Sequence, residues 1–212
     1  MEANPSSTKK SRIALYGGAF NPIHSGHLFV AKDVLELFNI DEVIFIPTGN
    51  PVFPKKDLLD KRIRAKLVEM AIADEPKFEI SYFEIDRDVP SYYIDTLKHF
   101  QNPETEIFSI IGEDAFLKIT LWKDYRDILR NSYFIVAKRL NDDFSTLREF
   151  VSENLNGFKD RIFTLPHPLF SISSTIIRER IKQGLTISYL LPKEVELEIA
   201  KNHYYTSESS LG

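Results

Sequence analysis

Hydrophobic residues along this chain fall into two alternating rhythms. Short runs of β-branched and aromatic residues recur, each followed by a segment whose apolar positions return every three or four residues. "RIALY" (12–16) reads as a strand and "SGHLFVAKDVLELF" (25–38) as a helix. "EVIFIP" (42–47) is a second strand, too uniformly apolar to be half exposed. "DKRIRAKLVEMAIAD" (60–74) carries Ile63, Leu67, Met70 and Ala71 at helical spacing. "KFEISYFEI" (77–85) is extended, and "SYYIDTLKHF" (91–100) predicts a helix opened by a serine. "EIFSIIG" (106–112) and "SYFIVAK" (132–138) are two more buried strands, with the helical "LWKDYRDILR" (121–130) between them. "FSTLREFVSENL" (144–155) predicts a helix and "RIFTL" (161–165) a strand; "SSTIIRERIKQ" (173–183) and "PKEVELEIAKNHYY" (192–205) predict helices.

Strands separated by helices at this rhythm imply right-handed βαβ crossovers and a doubly wound parallel sheet, an α/β Rossmann-like architecture. No repeat or linker interrupts it, so a single domain over 12–205 is expected, between flexible tails at 1–11 and 206–212. Ligands in such sheets bind beyond the carboxyl ends of the strands, where the strand order reverses. That directs attention to Gly17–His27, Thr48–Lys56, Gly112–Trp122 and Pro166–Arg178.

Composition narrows the function classes. A hydrophobic fraction of 43% and a charged fraction of 27% over 212 residues are ordinary for a water-soluble globular protein. The net charge of -4 offers no global attraction to nucleic acid or to an anionic membrane, so an anion site must be built locally. The absence of cysteine excludes disulfides, thiolate zinc sites and cysteine nucleophiles. No apolar run is long enough for a membrane span, and "MEANPSSTKKS" lacks the apolar stretch of a secretion signal. A cytoplasmic location is expected, and a homo-oligomer is left open.

The segment "GGAFNPIHSGHL" (17–28) carries the strongest hint of chemistry. Gly17 and Gly18 permit a tight turn with positive φ and leave no side chain between backbone and ligand. The helix beginning near Ser25 presents its unpaired amides and positive dipole end to that turn, as phosphate sites do. His24 and His27 lie three apart across the helix start and can face one pocket at its exposed rim. An imidazole there donates to a phosphate oxygen without an ammonium's strong hydration. A zincin-type metal site would need histidines four apart with an adjacent glutamate, and neither is present. Two ordinary polar turn residues are the plainer alternative, but the Gly-Gly after a strand and the proline before His24 favour phosphate. Neither a Walker loop nor a dinucleotide fingerprint is present.

A second constellation is "ISSTIIR" (172–178). Ser173 or Ser174 can cap the following helix, with Arg178 one turn further in on a face that points back to the N-terminus. Hydroxyls, free amides and a guanidinium fork would then converge on one anion. Alone this reads as a serine-capped surface helix; beside the first motif on the same sheet rim it reads as a second phosphate wall.

Together "GGAFNPIHSGHL" and "ISSTIIR" resemble the nucleotidyltransferase superfamily, which transfers nucleotidyl groups from ATP or CTP. "IPTGNPVFPKK", "RDVPSYYIDTL", "IIGEDAFLKITLW" and "ISYLLPKEVELEIAKNHYY" look like segments of bacterial nicotinate mononucleotide adenylyltransferases. The resemblance covers nearly everything from Arg12 to Tyr205 and implies a nucleotidyltransferase variant of the Rossmann-like fold. It also implies attack by the 5′-phosphate of nicotinate mononucleotide on the α-phosphorus of ATP, with Mg²⁺ accompanying ATP. The nucleophile is already ionised, so no general base is required, which agrees with the lack of a Ser/His/Asp set. Gly17, Gly18 and Phe20 would shape the floor under the ATP phosphates, and His24, with His27 at the adenosine end, would serve the transfer. Ser173, Ser174 and Arg178 would hold the triphosphate, and Gly112 and Asp114 the adenosine. Thr48, Tyr92, Thr96 and Trp122 would line the mononucleotide side, with Trp122 stacked on the pyridine ring.

The chain departs from the family at three places. Pro51-Val52-Phe53-Pro54-Lys55-Lys56 replaces a Pro-Pro-His-Lys run, and either Lys55 or Lys56 takes the catalytic lysine's place. Asn21 stands where many members carry aspartate, and Lys123 where an aromatic occurs. Two alternatives stay open: a sister enzyme acting on nicotinamide mononucleotide or phosphopantetheine, and a non-catalytic nucleotide sensor. A nucleic-acid partner is disfavoured by the acidic balance.

Overall fold

The computed structural model describes residues 10–53, 57–138, 144–166 and 172–206. Strand β1 (Ser11–Gly18) runs into helix α1 (Ser25–Leu37), β2 (Glu42–Pro47) into α2 (Lys61–Ile72), and β3 (Phe78–Ile80) towards α3 (Tyr93–Phe100). Strand β4 (Thr105–Gly112) leads through the one-turn helix α4 (Glu113–Phe116) and a 3-10 turn at Ile119–Leu121 to α5 (Tyr125–Asn131). Then β5 (Tyr133–Ala137) precedes α6 (Ser145–Asn154), and β6 (Ile162–Thr164) precedes α7 (Ser174–Lys182) and α8 (Lys193–Lys201).

The strands form a six-stranded sheet in the order β3-β2-β1-β4-β5-β6. Every neighbouring pair is parallel, the doubly wound arrangement that the alternation of strands and helices predicts. Alternate residues of each central strand serve opposite cores. Ala14, Val43, Phe45, Phe108 and Ile135 face the core packed by α1, α2, α7 and α8, while Leu15, Ile44, Ile107, Phe134 and Val136 face the core packed by α3, α5 and α6. Both faces being covered is why these strands are apolar at almost every position.

Two elements are shorter than the sequence pattern suggests. The expected run 77–85 is a strand only at Phe78–Ile80, because the chain turns after Ser81, with the Asp86 N–H bonded to the Tyr82 carbonyl at 2.9 Å. The helix expected from Leu121 begins at Tyr125; the preceding residues form the 3-10 turn and an extended Trp122 that lines a cavity.

The central strands part at their carboxyl ends. The last β1–β4 pair is Tyr16 with Ile110, yet β1 continues beside β2 to Gly18–Pro47 and β4 continues beside β5 to Gly112–Ala137. A cleft opens between them at the switch point. Arg64 on α2 fixes its loops. Its side chain is wholly buried, and its guanidinium donates to the carbonyls of Ala19 (2.6 Å), Thr48 (2.7 Å) and Leu59 (2.8 Å). These carbonyls follow β1, follow β2 and precede α2, so one planar fork sets three chain segments at once. Burial pushes the Arg64 pKa down from its ordinary value, the direction expected of a cation removed from water.

Arg64→Met would retain the apolar stem and leave the three carbonyls without donors. Each such buried loss costs about 1–3 kcal/mol. A destabilisation of at least about 3 kcal/mol is expected, or a melting temperature lower by roughly 6–12 °C for a chain of this size. A shift of only a degree or two in a thermal melt would show that the loops do not depend on this fork.

Candidate active site

The cleft has two halves that share Gly17, Gly18, Ala19, Gly112 and Ala115. The larger, of about 770 Å³, is polar and lies between the N-termini of α1 and α7. His24 is the N-cap of α1 in an extended conformation, and its backbone N–H donates to His27 Nδ1 at 3.2 Å. That bond makes Nδ1 an acceptor, so a neutral His27 carries its proton on Nε2. The two imidazoles stack with centroids 3.7 Å apart, and the His27 ring also meets Phe20 edge-on at 5.1 Å. Gly26 leaves room for this stack, since a Cβ on it would lie 3.1 Å from the His24 ring and press on it.

On the facing wall Ser173 caps α7, its hydroxyl accepting from the Ile176 N–H at 3.3 Å. Ser174 Oγ donates to the Pro22 carbonyl at 2.8 Å, and Arg178 donates to the Asn21 carbonyl at 2.8 Å. Both expected phosphate ligands thus also stitch α7 to the β1–α1 loop. Asn21 secures the same loop from within. It donates to the Asp57 carbonyl at 2.8 Å and accepts from the Leu59 N–H at 3.1 Å, a pair of bonds that a carboxylate could not make. Gly112 and Asp114 line this half, together with an ion pair between Lys138 and Glu113 at 3.1 Å.

The smaller half, of about 500 Å³, is aromatic. Thr48, Tyr92 and Trp122 line it, with Trp122 edge-on to Tyr93 at 5.5 Å. The Tyr93 hydroxyl is hydrogen-bonded to Ser109, and burial pushes its pKa up. Glu84, only 7% exposed, also lines this half and accepts from the Thr96 hydroxyl at 2.7 Å. Burial pushes the Glu84 pKa up, against hydrogen bonds from Thr96, Ser91 and the Gly49 amide.

Several sequence expectations change. Gly17 and Gly18 do not take positive φ: they end β1, and the left-handed residue is Phe20 at φ 45°. Gly17 is open because a Cβ there would project into free space, and a Cβ on Gly18 would lie 3.1 Å from the Phe20 ring that folds back over it. His24 is not on an exposed rim; it is 5% exposed, enclosed by its partner imidazole and Gly26. Thr96 does not line the cleft, since its hydroxyl is buried and spent on Glu84. Lys55 and Lys56 lie outside the described residues. Glu84, Tyr93, Ser109 and Lys138 were not singled out by the sequence, where nothing separates them from ordinary strand and helix residues.

A wall of helix N-termini and imidazoles beside an aromatic slot is suited to a nucleotide, which narrows the chain to the nucleotide-handling α/β proteins. The chain belongs to the cytidylyltransferase-like family, whose model matches residues 15–180. It is 37% identical over 205 residues to a probable nicotinate-nucleotide adenylyltransferase of Leifsonia xyli subsp. xyli, covering 94% of this chain and 98% of that relative. A relative of the same description from Desulfitobacterium hafniense is 39% identical, covering 92% and 95%. Among solved structures, a nicotinic acid mononucleotide adenylyltransferase of Plasmodium falciparum complexed with NaAD has the same fold, with a TM-score of 0.73. It is 20% identical and covers 92% of this chain and 97% of its own.

Glu84 yields a pH signature. Its folded pKa is raised, so the folded chain holds this proton more firmly than the unfolded one. That stability is present below the ordinary glutamate range of about 4.3 and is lost as pH rises through the folded value. Glu84→Gln lacks this loss. The melting temperature of the variant relative to the parent is therefore expected to climb as pH is raised from about 4 to 7. A difference that stays flat or falls over that range would contradict a raised Glu84.

Proposed function

We infer that this chain is an adenylyltransferase that joins ATP and nicotinate mononucleotide, forming deamido-NAD and releasing pyrophosphate in NAD biosynthesis. The observation that carries the reading is the division of one cleft into a polar phosphate half and an aromatic half, meeting at glycines that leave the backbone bare. The names of the relatives agree with it. ATP would lie in the polar half with its phosphates against the α1 and α7 N-termini, and the mononucleotide would reach them from the aromatic half.

In the transfer, an oxygen of the mononucleotide 5′-phosphate forms a bond to the α-phosphorus. The bond from that phosphorus to the bridging oxygen breaks, and pyrophosphate leaves with the electron pair. A phosphate monoester is largely ionised at neutral pH, so no side chain has to remove a proton. What the protein contributes is alignment of two polyanions and donors aimed at charge that develops on the leaving group. His24 and His27 would donate to the reacting phosphates, with the free amides of α1 behind them. Ser173, Ser174 and Arg178 would hold the β- and γ-phosphates, Arg178 using guanidinium donors beyond the one held by Asn21. Asp114 would accept from ribose hydroxyls, and Trp122 would stack on the pyridine ring.

Mg²⁺ would enter with ATP. Among the described residues no three carboxylate or histidine side chains come together to hold an ion, and phosphate oxygens with water suit its preference for octahedral oxygen ligands. A cytoplasmic site of action fits soluble substrates, and no described helix is long and apolar enough to cross a membrane.

The test is pyrophosphate release with ATP and Mg²⁺ and nicotinate mononucleotide, nicotinamide mononucleotide or phosphopantetheine as acceptor. Preference for nicotinate mononucleotide is expected; preference for another acceptor, or ATP binding without release, would refute the reading. His24→Asn retains a good N-cap residue. Loss of one donor to a transition-state oxyanion costs on the order of 100-fold in kcat or more, and that loss is expected in a variant that a thermal melt shows to be folded at the assay temperature. Near-normal turnover in this variant would remove His24 from the chemistry.

A further inference from the structure

The aromatic half must also deal with a charge at its far end. The nicotinate ring bears a carboxylate, whereas the rival nicotinamide ring bears a neutral amide of almost the same shape. Apolar and aromatic walls distinguish these poorly, and the carboxylate of Glu84 on the same cavity would repel the acid. The cations around this half are mostly engaged. Lys61 donates to the Arg87 carbonyl at 3.2 Å and pairs with Asp88 at 3.0 Å, and Arg87 lies 4.6 Å from the centroid of the Phe83 ring. Lys123 differs from them. It is the one cationic side chain among the described residues that line this half, and among those residues its ammonium meets an aromatic face and no carboxylate. Its Nζ sits 4.7 Å from the centroid of Tyr92, and Tyr92 and Trp122 both line the same half. Trp122 before it is extended (φ -78°, ψ 141°) and Asp124 after it is left-handed (φ 55°).

We propose that Lys123 pairs with the carboxylate of the nicotinate ring and is a determinant of the choice of acid over amide. The assignment rests on the reading of this cleft as a nicotinate mononucleotide site. A ring lying against Tyr92 and Trp122 displaces the ammonium from the Tyr92 face towards the ring edge, where the carboxylate projects. The quaternised ring nitrogen takes over the favourable position against the aromatic faces. The ammonium thus exchanges a weak attraction for a full opposite charge, and only when the ligand is the acid. The position where the chain departs from its family's aromatic residue thereby acquires a charge matched to the substrate.

The test uses the full chain and steady-state pyrophosphate release at saturating ATP, with nicotinate and nicotinamide mononucleotides as separate acceptors. Lys123→Met keeps the length of the side chain and removes its charge. It is expected to raise KM for nicotinate mononucleotide about fivefold, the upper range for a solvent-accessible ion pair, with kcat and the KM for the amide unchanged. Lys123→Arg is expected to restore the parental KM. In the parent, added salt should raise KM for the acid more than in Lys123→Met. An equal rise of KM for both acceptors would mean that the side chain only supports Trp122, and no rise would leave discrimination to backbone amides; either result overturns the proposal. A parent chain that transfers nothing to nicotinate mononucleotide would overturn the functional reading itself. Parental turnover alongside an unaltered Lys123→Met removes the Lys123 assignment alone.

Discussion

The cleft depends on a buried charge. Arg64 lies wholly inside the protein, and no carboxylate among the described residues comes within ion-pair distance of it. Removing a guanidinium from water is costly unless its donors are satisfied, and here the partners are carbonyls of three loop segments. The dependence runs both ways. The loops need the fork to hold their carbonyls, and the fork needs the loops in that one arrangement to be tolerable as a buried cation. A hydrophobic residue in its place could pack, but it would not specify where Ala19 and Thr48 lie. Ala19 borders both halves of the cleft and Thr48 the aromatic one, so the geometry between the two halves is set from behind.

The remaining ties to this frame are also polar and long-range in sequence. Asn21 clamps the segment before α2, Arg178 and Ser174 clamp the β1–α1 loop to α7, and the Ser25 N–H donates to the carbonyl of Leu190, ahead of α8, at 2.9 Å. Tyr205, buried near the end of the described chain, lies in the field of both Arg64 and Arg178, whose charges oppose the upward push of burial on its hydroxyl. Residues expected only to touch ligand therefore do double service: Arg178 and Ser174 hold protein carbonyls while their helix N-terminus stays open to the cleft. Motions that bring the walls together would act on these bonds.

The pattern of the sequence captured the sheet because strands buried on both faces are apolar throughout, and each helix shows its own stripe. It failed where a tertiary bond overrode local preference. The extended run after Phe78 is cut short because the chain leaves the sheet after the last ladder bond, from Ser81 to Phe45, and turns where the Asp86 N–H meets the Tyr82 carbonyl, information absent from "SYFEI". Leu121 and Trp122 have the apolar character of a helix start but line a cavity instead. In the candidate site, glycines and histidines were visible because they combine in a short motif. Arg64 was not: it is one basic residue among Lys61, Arg62 and Lys66, and only the fold distinguishes it from these less buried neighbours. Glu84 was invisible for the same reason, and Thr96 stood out only through a motif whose contact with Glu84 lies behind the cleft wall.

The distribution of donors also bears on turnover. Under the proposed function the site would bind a triphosphate and then release pyrophosphate, and it would gain nothing from cations that hold substrate and product equally well. In the polar half the uncharged donors are imidazoles and helix amides. The charged groups there have protein partners: Arg178 donates to the Asn21 carbonyl, and Lys138 is paired with Glu113. Partial neutralisation of this kind weakens the grip on a departing anion while leaving the fixed dipoles aligned with the bond that breaks. Such dipoles need no rearrangement as charge moves from the α-phosphate to the leaving group. Arg64, whose fork is taken up by three carbonyls, is wholly buried, where its charge organises the walls rather than the ligand.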